Sequence, residues 1–260
     1  RRRTSCSGGR ASAPLPPFVD STFIAVVAGS FAAAVANAMF SAGGALIVLA
    51  VTSTVLPIQA IVPIHSTLLI GSTSTRILFF WQHIDWKIVW PFILGSFVGA
   101  LVGARIYIEL PEAIIATAIA ILMLVALWLP GIRWRPRIRH PWVIVGFFHT
   151  FISTLFAYGA LLHSVILHTG LERRQVVGTM AGALTGMGLF KIVGYAYFGF
   201  DYEPYFAMIA AAIAMSFAGT AVGKWLGEGL SEERFRLAYR ILVTLTAVRL
   251  MYVGLMQGMS

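Results

Sequence analysis

Charged residues and cysteine are scarce in this sequence. Of its 260 residues 11% are charged and 58% are hydrophobic, and the mean hydropathy is +0.84. Soluble domains contain about 25% charged and about 45–50% apolar residues, so a water-soluble fold is excluded. The single cysteine, Cys6, can form no internal disulfide and gives no information on the redox compartment.

Long apolar runs take the place of the missing charges. Runs of about 20 residues recur from Val19 to the C-terminus, separated by short loops that hold nearly all the charged residues. Period-two alternation is absent, so these runs predict helices across a hydrocarbon core of about 30 Å rather than a membrane barrel. We therefore predict an all-α, multi-pass integral protein of the cell membrane, of the bacterial inner-membrane type.

The excess of basic residues is also explained by insertion into a membrane. The formal net charge is +9, but Arg and Lys lie mainly at the ends of the apolar runs, which is typical of a membrane orientation signal. The predicted partner of these charges is therefore the lipid bilayer and not nucleic acid, and a homo-oligomer is left open. Residues 1–17 are rich in Arg, Ser, Gly and Pro and predict a disordered polar and basic tail.

The remainder of the chain divides into two similar halves. A first membrane repeat is predicted over 18–130 and a second over 141–260, joined by a basic cytoplasmic linker at 131–140. Matches in constant order indicate duplication. At a spacing of 115 the matches include Ala42, Gly44, Ala45 and Leu46 with Ala157, Gly159, Ala160 and Leu161, and Arg76 with Lys191; Asp85 matches Asp201 at 116, and Gly99 and Gly103 match Gly219 and Gly223 at 120.

Each repeat is predicted to hold a broken or re-entrant helical hairpin followed by three transmembrane helices. The hairpins are expected at about 19–57 and 142–169, and the helices at 60–81, 88–108, 112–130, 175–199, 205–226 and 236–257. If each first element crossed once, loop Lys and Arg would divide five against six between the two sides; with hairpins they divide ten against one. Positive loops stay cytoplasmic, so the bias favours hairpins and hence two inverted repeats.

Arg76 and Lys191 are the candidate anion-binding cations of the two halves. Each lies within an otherwise uncharged apolar run, at equivalent positions. A charge inside a membrane span is costly and usually faces a cavity, so the pair predicts an anion site where the repeats meet. The alternative is snorkelling, because each lies within about two turns of a helix end and a long side chain could reach the interface.

The hairpin breaks supply further candidates. Gly43 and Gly44 in the first copy and Gly159 in the second let the backbone turn and present N–H groups to a ligand, although close helix packing is an equal alternative. Nearby hydroxyl groups complete the predicted substrate site: Ser72, Thr75 and Thr185. Hydroxyls coordinate oxyanions or bond back to helix carbonyls.

The sequence favours a transporter over an enzyme. It contains no HExxH, P-loop or nucleophile-elbow motif, and no cofactor is predicted. The histidines of the second hairpin have no metal-site spacing, so no metal is predicted. They are interpreted as ordinary polar packing, with a proton relay as the minor alternative. An intramembrane enzyme, or a membrane assembly subunit without transport activity, remains the alternative.

The order of these features resembles the sulfite exporter TauE/SafE family of membrane anion transporters. The resemblance rests on Ser41-Ala42-Gly43-Gly44, a Thr/Ser-rich helix ending near Arg76, Ile84-Asp85-Trp86, Pro91, the run GSFVGALVGAR at 95–105, and Leu110-Pro111. It covers nearly all of residues 20–257. It implies secondary transport of small, sulfur-containing anions such as sulfite, sulfonates or related organic anions, driven by an ion gradient without ATP.

Overall fold

The computed structural model of the chain describes residues 20–40, 44–128, 141–157, 159–166, 169–226 and 232–259. The predicted tail at 1–17, the predicted linker at 131–140 and Gly43 lie outside the described residues. Within them the chain forms α-helices and short 3-10 turns and no strand, which confirms an all-α fold. The helices are α1 Ser21–Phe40, α2 Gly44–Val55, α3 Ile58–Phe80, α4 Trp86–Glu109, α5 Glu112–Trp128, α6 Pro141–Phe156, α7 Ala160–Ile166, α8 Arg173–Tyr197, α9 Phe206–Leu226 and α10 Glu232–Met259.

Five of the described helices contain a segment long and apolar enough to cross a membrane. These segments are Ser21–Met39, Trp86–Glu109, Arg174–Tyr197, Glu203–Gly223 and Arg240–Gly258. α2, α5 and α6 are apolar but shorter. α3 has the length of a span, but its hydroxyl groups and Arg76 lower its hydropathy.

The predicted hairpin elements are broken in both halves. In the first half α1 ends at Phe40 and α2 begins at Gly44. In the second half α6 ends at Phe156, and Ala157 adopts a φ of 57°, which ends the helix because left-handed backbone cannot continue it. α6 has 16 residues and α7 has seven, so at 1.5 Å per residue neither reaches across about 30 Å.

Glycines allow each hairpin to pack closely on a helix of the other half. A Cβ atom on Gly99 of α4 would lie 2.5 Å from the carbonyl oxygen of Phe147 in α6. A Cβ on Gly219 of α9 would lie at the same distance from the carbonyl oxygen of Phe31 in α1. Both helix pairs therefore depend on a missing side chain at the contact, as is common between membrane helices.

Both of these helix pairs are parallel. One turn after Gly99, Gly103 meets Thr154, so residue numbers rise together along α4 and α6. One turn after Gly219, Gly223 meets Val35, and the same holds for α9 and α1. The pairing of α4 with α6 thus has a counterpart in the pairing of α9 with α1.

The third helix of each half, α3 and α8, pack on each other in antiparallel orientation. Near one end, a Cβ on Gly178 would lie 2.7 Å from the carbonyl oxygen of Phe80; further along, a Cβ on Gly188 would lie 2.8 Å from Ile70 Cγ1. Between these points the Thr185 hydroxyl donates a 3.0 Å hydrogen bond to the Thr73 hydroxyl. α5 and α10 also pack on each other, with Trp128 Nε1 donating to Thr244 Oγ1 at 3.3 Å.

The bundle has two ends, which we name after Arg174 and Asp201. The Arg174 end holds the connections 81–85 and 169–172, because α3 ends beside the start of α8. The Asp201 end holds the connections 56–57, 110–111 and 198–202; there the Tyr107 hydroxyl donates to the carbonyl oxygens of Ile58 and Gln59, each at 3.1 Å.

The outer surface of the helices is apolar. Large hydrophobic side chains are exposed along their length, including Leu78, Leu94, Val193, Leu245 and Val248. Exposed tryptophans lie at helix ends near the Arg174 end: Trp81, Trp86, Trp128 and Trp225. Apolar flanks with terminal aromatic residues are typical of helices in a bilayer, where Trp occupies the interface.

Candidate functional site: a cationic cavity at the Arg174 end

A cavity of about 650 Å³ enters the bundle at the Arg174 end. Residues from α1, α3, α7, α8 and α9 line it: Ala34, Asn37, Ala38, Ser72, Thr75, Arg76, Phe79, Phe80, His163, Arg174, Val176, Val177, Met180 and Thr220. Among these described lining residues are two arginines and no Asp or Glu. The cavity therefore offers a positive potential and several hydrogen-bond donors to a small ligand.

Arg76 of α3 lines this cavity. Its side chain is half-buried, and no hydrogen bond or ion pair joins its guanidinium group to a described residue. A guanidinium has five N–H donors in a planar fork that fits two oxygens of one anion. Arg174, at the start of α8, places a second and exposed cation at the rim.

The predicted hydroxyl groups divide between the cavity and a helix contact. Ser72 and Thr75 line the cavity, although the Thr75 hydroxyl also donates to the carbonyl of Gly71 at 2.8 Å. Asn37 Nδ2 donates to Ser72 Oγ at 3.4 Å, which joins α1 to α3 beside Arg76. Thr185 is outside the lining and bonds to Thr73, so in this conformation it holds α8 against α3.

Lys191 is not among the residues that line this cavity. Its side chain is 2% exposed, and its Nζ donates to the carbonyl oxygen of Ser153 at 2.9 Å and to the Ser153 hydroxyl at 3.1 Å. α3 and α8 are antiparallel and Thr73 meets Thr185, so Arg76, three residues after Thr73, lies level with position 182 of α8. Lys191 is nine residues further along α8, which is about 13 Å along the helix axis. The two predicted cations thus lie at different depths.

The two described hairpin glycines also differ. Gly44 is buried, and a Cβ there would lie 2.8 Å from the carbonyl oxygen of Ala33 and 3.0 Å from Asn37 Cβ. It packs against α1 and supports Asn37, which lines the cavity. Gly159 is exposed, and a Cβ there would lie 3.3 Å from His149 Cε1.

A family comparison identifies the class of protein that uses this architecture. A family model described as Sulfite exporter TauE/SafE matches residues 26–250, nearly the whole chain. The chain belongs to the sulfite exporter TauE/SafE family. No curated protein and no solved structure matches it.

Membership of the TauE/SafE family implies membrane transport by a multi-pass protein, in agreement with the five span-length helices. Asn37, His163 and Arg174 line the cavity of this family member but were not predicted as site residues. The sequence did offer a signal for Asn37, because a side-chain amide within an apolar run needs a hydrogen-bond partner. No group of three or more His, Cys, Asp or Glu that could hold a metal occurs in the described part of the chain.

Proposed function

We propose that this protein is a secondary transporter of small sulfur-containing anions, such as sulfite or sulfonates, in the cell membrane. The supporting observation is the half-buried Arg76 guanidinium, which lines a cavity without a described carboxylate. A cation that meets no carboxylate in a partly dehydrated cavity binds anions, because charge-assisted hydrogen bonds strengthen where water is excluded.

The cavity suits an oxoanion better than a spherical halide. The Arg76 fork donates in parallel to two oxygens, and the Ser72 and Thr75 hydroxyls lie on the same stretch of α3. An apolar substituent, as in an organic sulfonate, would find the aromatic and aliphatic side chains of the lining, which include Phe79, Phe80 and Val177. These features support sulfite and small sulfonates as the substrate class.

We infer further that the two halves are inverted repeats that alternate access to the substrate. The support is the reciprocal packing of α4 on α6 and of α9 on α1, together with the antiparallel contact of the equivalent helices α3 and α8. In such transporters one repeat rocks against the other around a central site. The positive loops assign the Arg174 end to the cytoplasm, so the cavity corresponds to an inward-open state.

Transport of radiolabelled sulfite into proteoliposomes tests this proposal. Purified wild-type protein should move sulfite across the bilayer chemically unchanged, and Arg76→Gln should lower the flux by about tenfold or more. Arg105→Gln is the matched control, because Arg105 is exposed and does not line the cavity. Its guanidinium pairs with the Glu109 carboxylate at a distance of 2.6 Å. No flux of sulfite or sulfonates by the wild-type protein would refute the function, and covalently changed product would favour the enzyme.

A further inference from the structure

A second group of polar side chains lies inside the bundle, beside the break between α6 and α7. It consists of His149 and Ser153 on α6, Gly159 at the break and Lys191 on α8, and we call it the donor cluster. None of its members lines the Arg76 cavity. Gly186 and Gly194 pack on Ile93 and Ala100, which puts Lys191 level with the middle of α4 and hence near mid-bilayer.

His149 presents an unused donor to the cluster. Its ring is 1% exposed, and its Nδ1 accepts a 3.0 Å hydrogen bond from the backbone N–H of Leu162. An accepting Nδ1 leaves the ring proton on Nε2. Nε2 is buried and has no hydrogen-bond partner among the described residues. A buried donor without a partner is unfavourable, which indicates that a ligand completes it.

Ser153 and Lys191 add donors that point to the same place. The Ser153 hydroxyl oxygen accepts from Lys191 Nζ at 3.1 Å, so its own hydrogen remains to donate. The ammonium of Lys191 has three N–H donors, of which two are used on Ser153. Ser153 follows His149 by one helical turn, so both side chains lie on one face of α6.

Gly159 lies directly beside these donors. A Cβ on it would lie 3.3 Å from His149 Cε1, 3.4 Å from His149 Nε2 and 4.0 Å from Ser153 Oγ. Gly159 itself is exposed, so the cluster is only one residue deep at the hairpin break. A side chain at this position would press on the His149 ring and cover Nε2.

No carboxylate of the described residues balances the charge of Lys191. The ion pair found among them joins Arg105 to Glu109 at the surface. Taking a charge out of water without an opposite charge is costly. Several donors and one cation, with no described carboxylate paired to them, are the groups that bind an anion.

The duplication relates this cluster to the Arg76 cavity. The reciprocal contacts of Gly99 with Phe147 and of Gly219 with Phe31 match α6 to α1 at a spacing of 116, at which His149 corresponds to Ala33 and Ser153 to Asn37. Asn37 lines the Arg76 cavity, and Ala33 is buried beside Gly44. The cluster therefore lies on the part of α6 that corresponds to the part of α1 beside the cavity, with Ser153 at the position of Asn37.

We propose that the donor cluster is a second anion site, in series with the Arg76 cavity, which binds a small oxoanion of the sulfite class during transport. This proposal rests on the proposed function. It assigns ligand-binding roles to His149, which the sequence indicated as polar packing, and to Ser153, which the sequence did not single out. An anion entering at the Arg174 end meets Arg76 first and Lys191 about 13 Å further in.

Two substitutions test the site with little disturbance of the fold. His149→Asn keeps an acceptor for the Leu162 N–H, because the Asn oxygen occupies the place of Nδ1, but it lacks the Nε2 donor. Gly159→Ala places a methyl group over Nε2 at distances that a small shift accommodates. The matched control is Gly182→Ala, whose Cβ would meet Ile84 and Val89 at an ordinary 3.5 Å.

Sulfite flux in proteoliposomes and equilibrium sulfite binding in detergent are measured for each folded variant. We expect flux to fall about tenfold or more in His149→Asn and in Gly159→Ala, and to stay at the wild-type level in Gly182→Ala. Wild-type flux in both site variants overturns the second site while the transport function stands. If the wild-type protein neither binds nor moves sulfite or sulfonates, the proposed function fails and the second site with it.

Discussion

Arg76 and Lys191 occupy equivalent positions in the two halves, yet their surroundings differ. Arg76 lines a cavity of about 650 Å³ and has no hydrogen-bond partner among the described residues. Lys191 is 2% exposed and held by Ser153. The position that the helix packing matches to Ser153 in the first half is Asn37, which lines the cavity and donates to Ser72 Oγ. Equivalent positions in a duplicated sequence therefore need not be equally accessible at one time.

The difference between the hairpins accounts for this contrast. α1 and α2 have 20 and 12 residues, whereas α6 and α7 have 16 and seven. The short second hairpin turns back inside the bundle, and its α6 brings Ser153 onto Lys191. The long first hairpin leaves space beside α3.

The largest expected effect is on chemical accessibility. In a Cys6→Ser background, Arg76→Cys should react with a charged thiol reagent about a hundredfold faster than Lys191→Cys, because a buried side chain reacts only when the structure opens locally. Labelling rates in detergent measure this ratio, with the exposed Arg105→Cys as reference. Similar rates at 76 and 191 would remove the contrast between the two halves.

The next effect is on anion affinity. Arg76→Gln should weaken sulfite binding by about 1.5–3 kcal/mol, roughly tenfold to more than a hundredfold, if the guanidinium makes a charge-assisted hydrogen bond to the anion. A snorkelling arginine would give a much smaller change. Equilibrium binding in detergent distinguishes the two, and the double variant with Lys191→Gln sharpens the result. Near-normal affinity in the folded double variant would exclude both cations from binding.

Helix positions were largely predictable from the sequence because hydropathy and length determine them. The run predicted at 60–81 is helix α3, Ile58–Phe80, and the run at 88–108 is α4, Trp86–Glu109. The second hairpin breaks where small residues end the apolar run, as expected. The largest error in extent is in α10, predicted at 236–257 and observed over Glu232–Met259, since charged residues continue a helix beyond the membrane.

The site was less predictable because it depends on contacts between distant segments. A charge within an apolar run singled out Arg76 and Lys191. Their equivalent positions in the two halves suggested one shared cavity. That Ser153 would hold Lys191, across 38 residues of sequence, depends on how α6 packs on the bundle. The role of Gly99 and Gly219 in that packing likewise appears only when their partners, Phe147 and Phe31, are known.

These two glycines provide a test of the reciprocal packing. Gly99→Ala and Gly219→Ala should each lower the free energy of unfolding by about 1–3 kcal/mol, because the new Cβ would lie 2.5 Å from a backbone oxygen that cannot move alone. Thermal unfolding in detergent measures the loss. Gly258→Ala serves as control, since its Cβ would lie 3.7 Å from Ala113 Cβ. A loss at one glycine but not the other would contradict equivalent roles in the two halves.

The smallest expected effect compares the two matched aspartates at the starts of α4 and α9. Asp85 Oδ1 accepts from the Lys87 N–H at 3.0 Å and caps α4, whereas Asp201 Oδ1 accepts from the Glu203 N–H at 2.9 Å, ahead of a three-residue 3-10 turn. Asp85→Ala should cost about 1 kcal/mol of stability, as the loss of an N-cap does, and Asp201→Ala less, because a short turn has fewer unpaired N–H groups to satisfy. Asn at either position restores an acceptor and should recover most of the loss, as measured by thermal unfolding. If Asp201→Ala cost as much as Asp85→Ala, the turn before α9 would be stabilised like the start of a full helix, and the two halves would be more alike than the cavity and the donor cluster indicate.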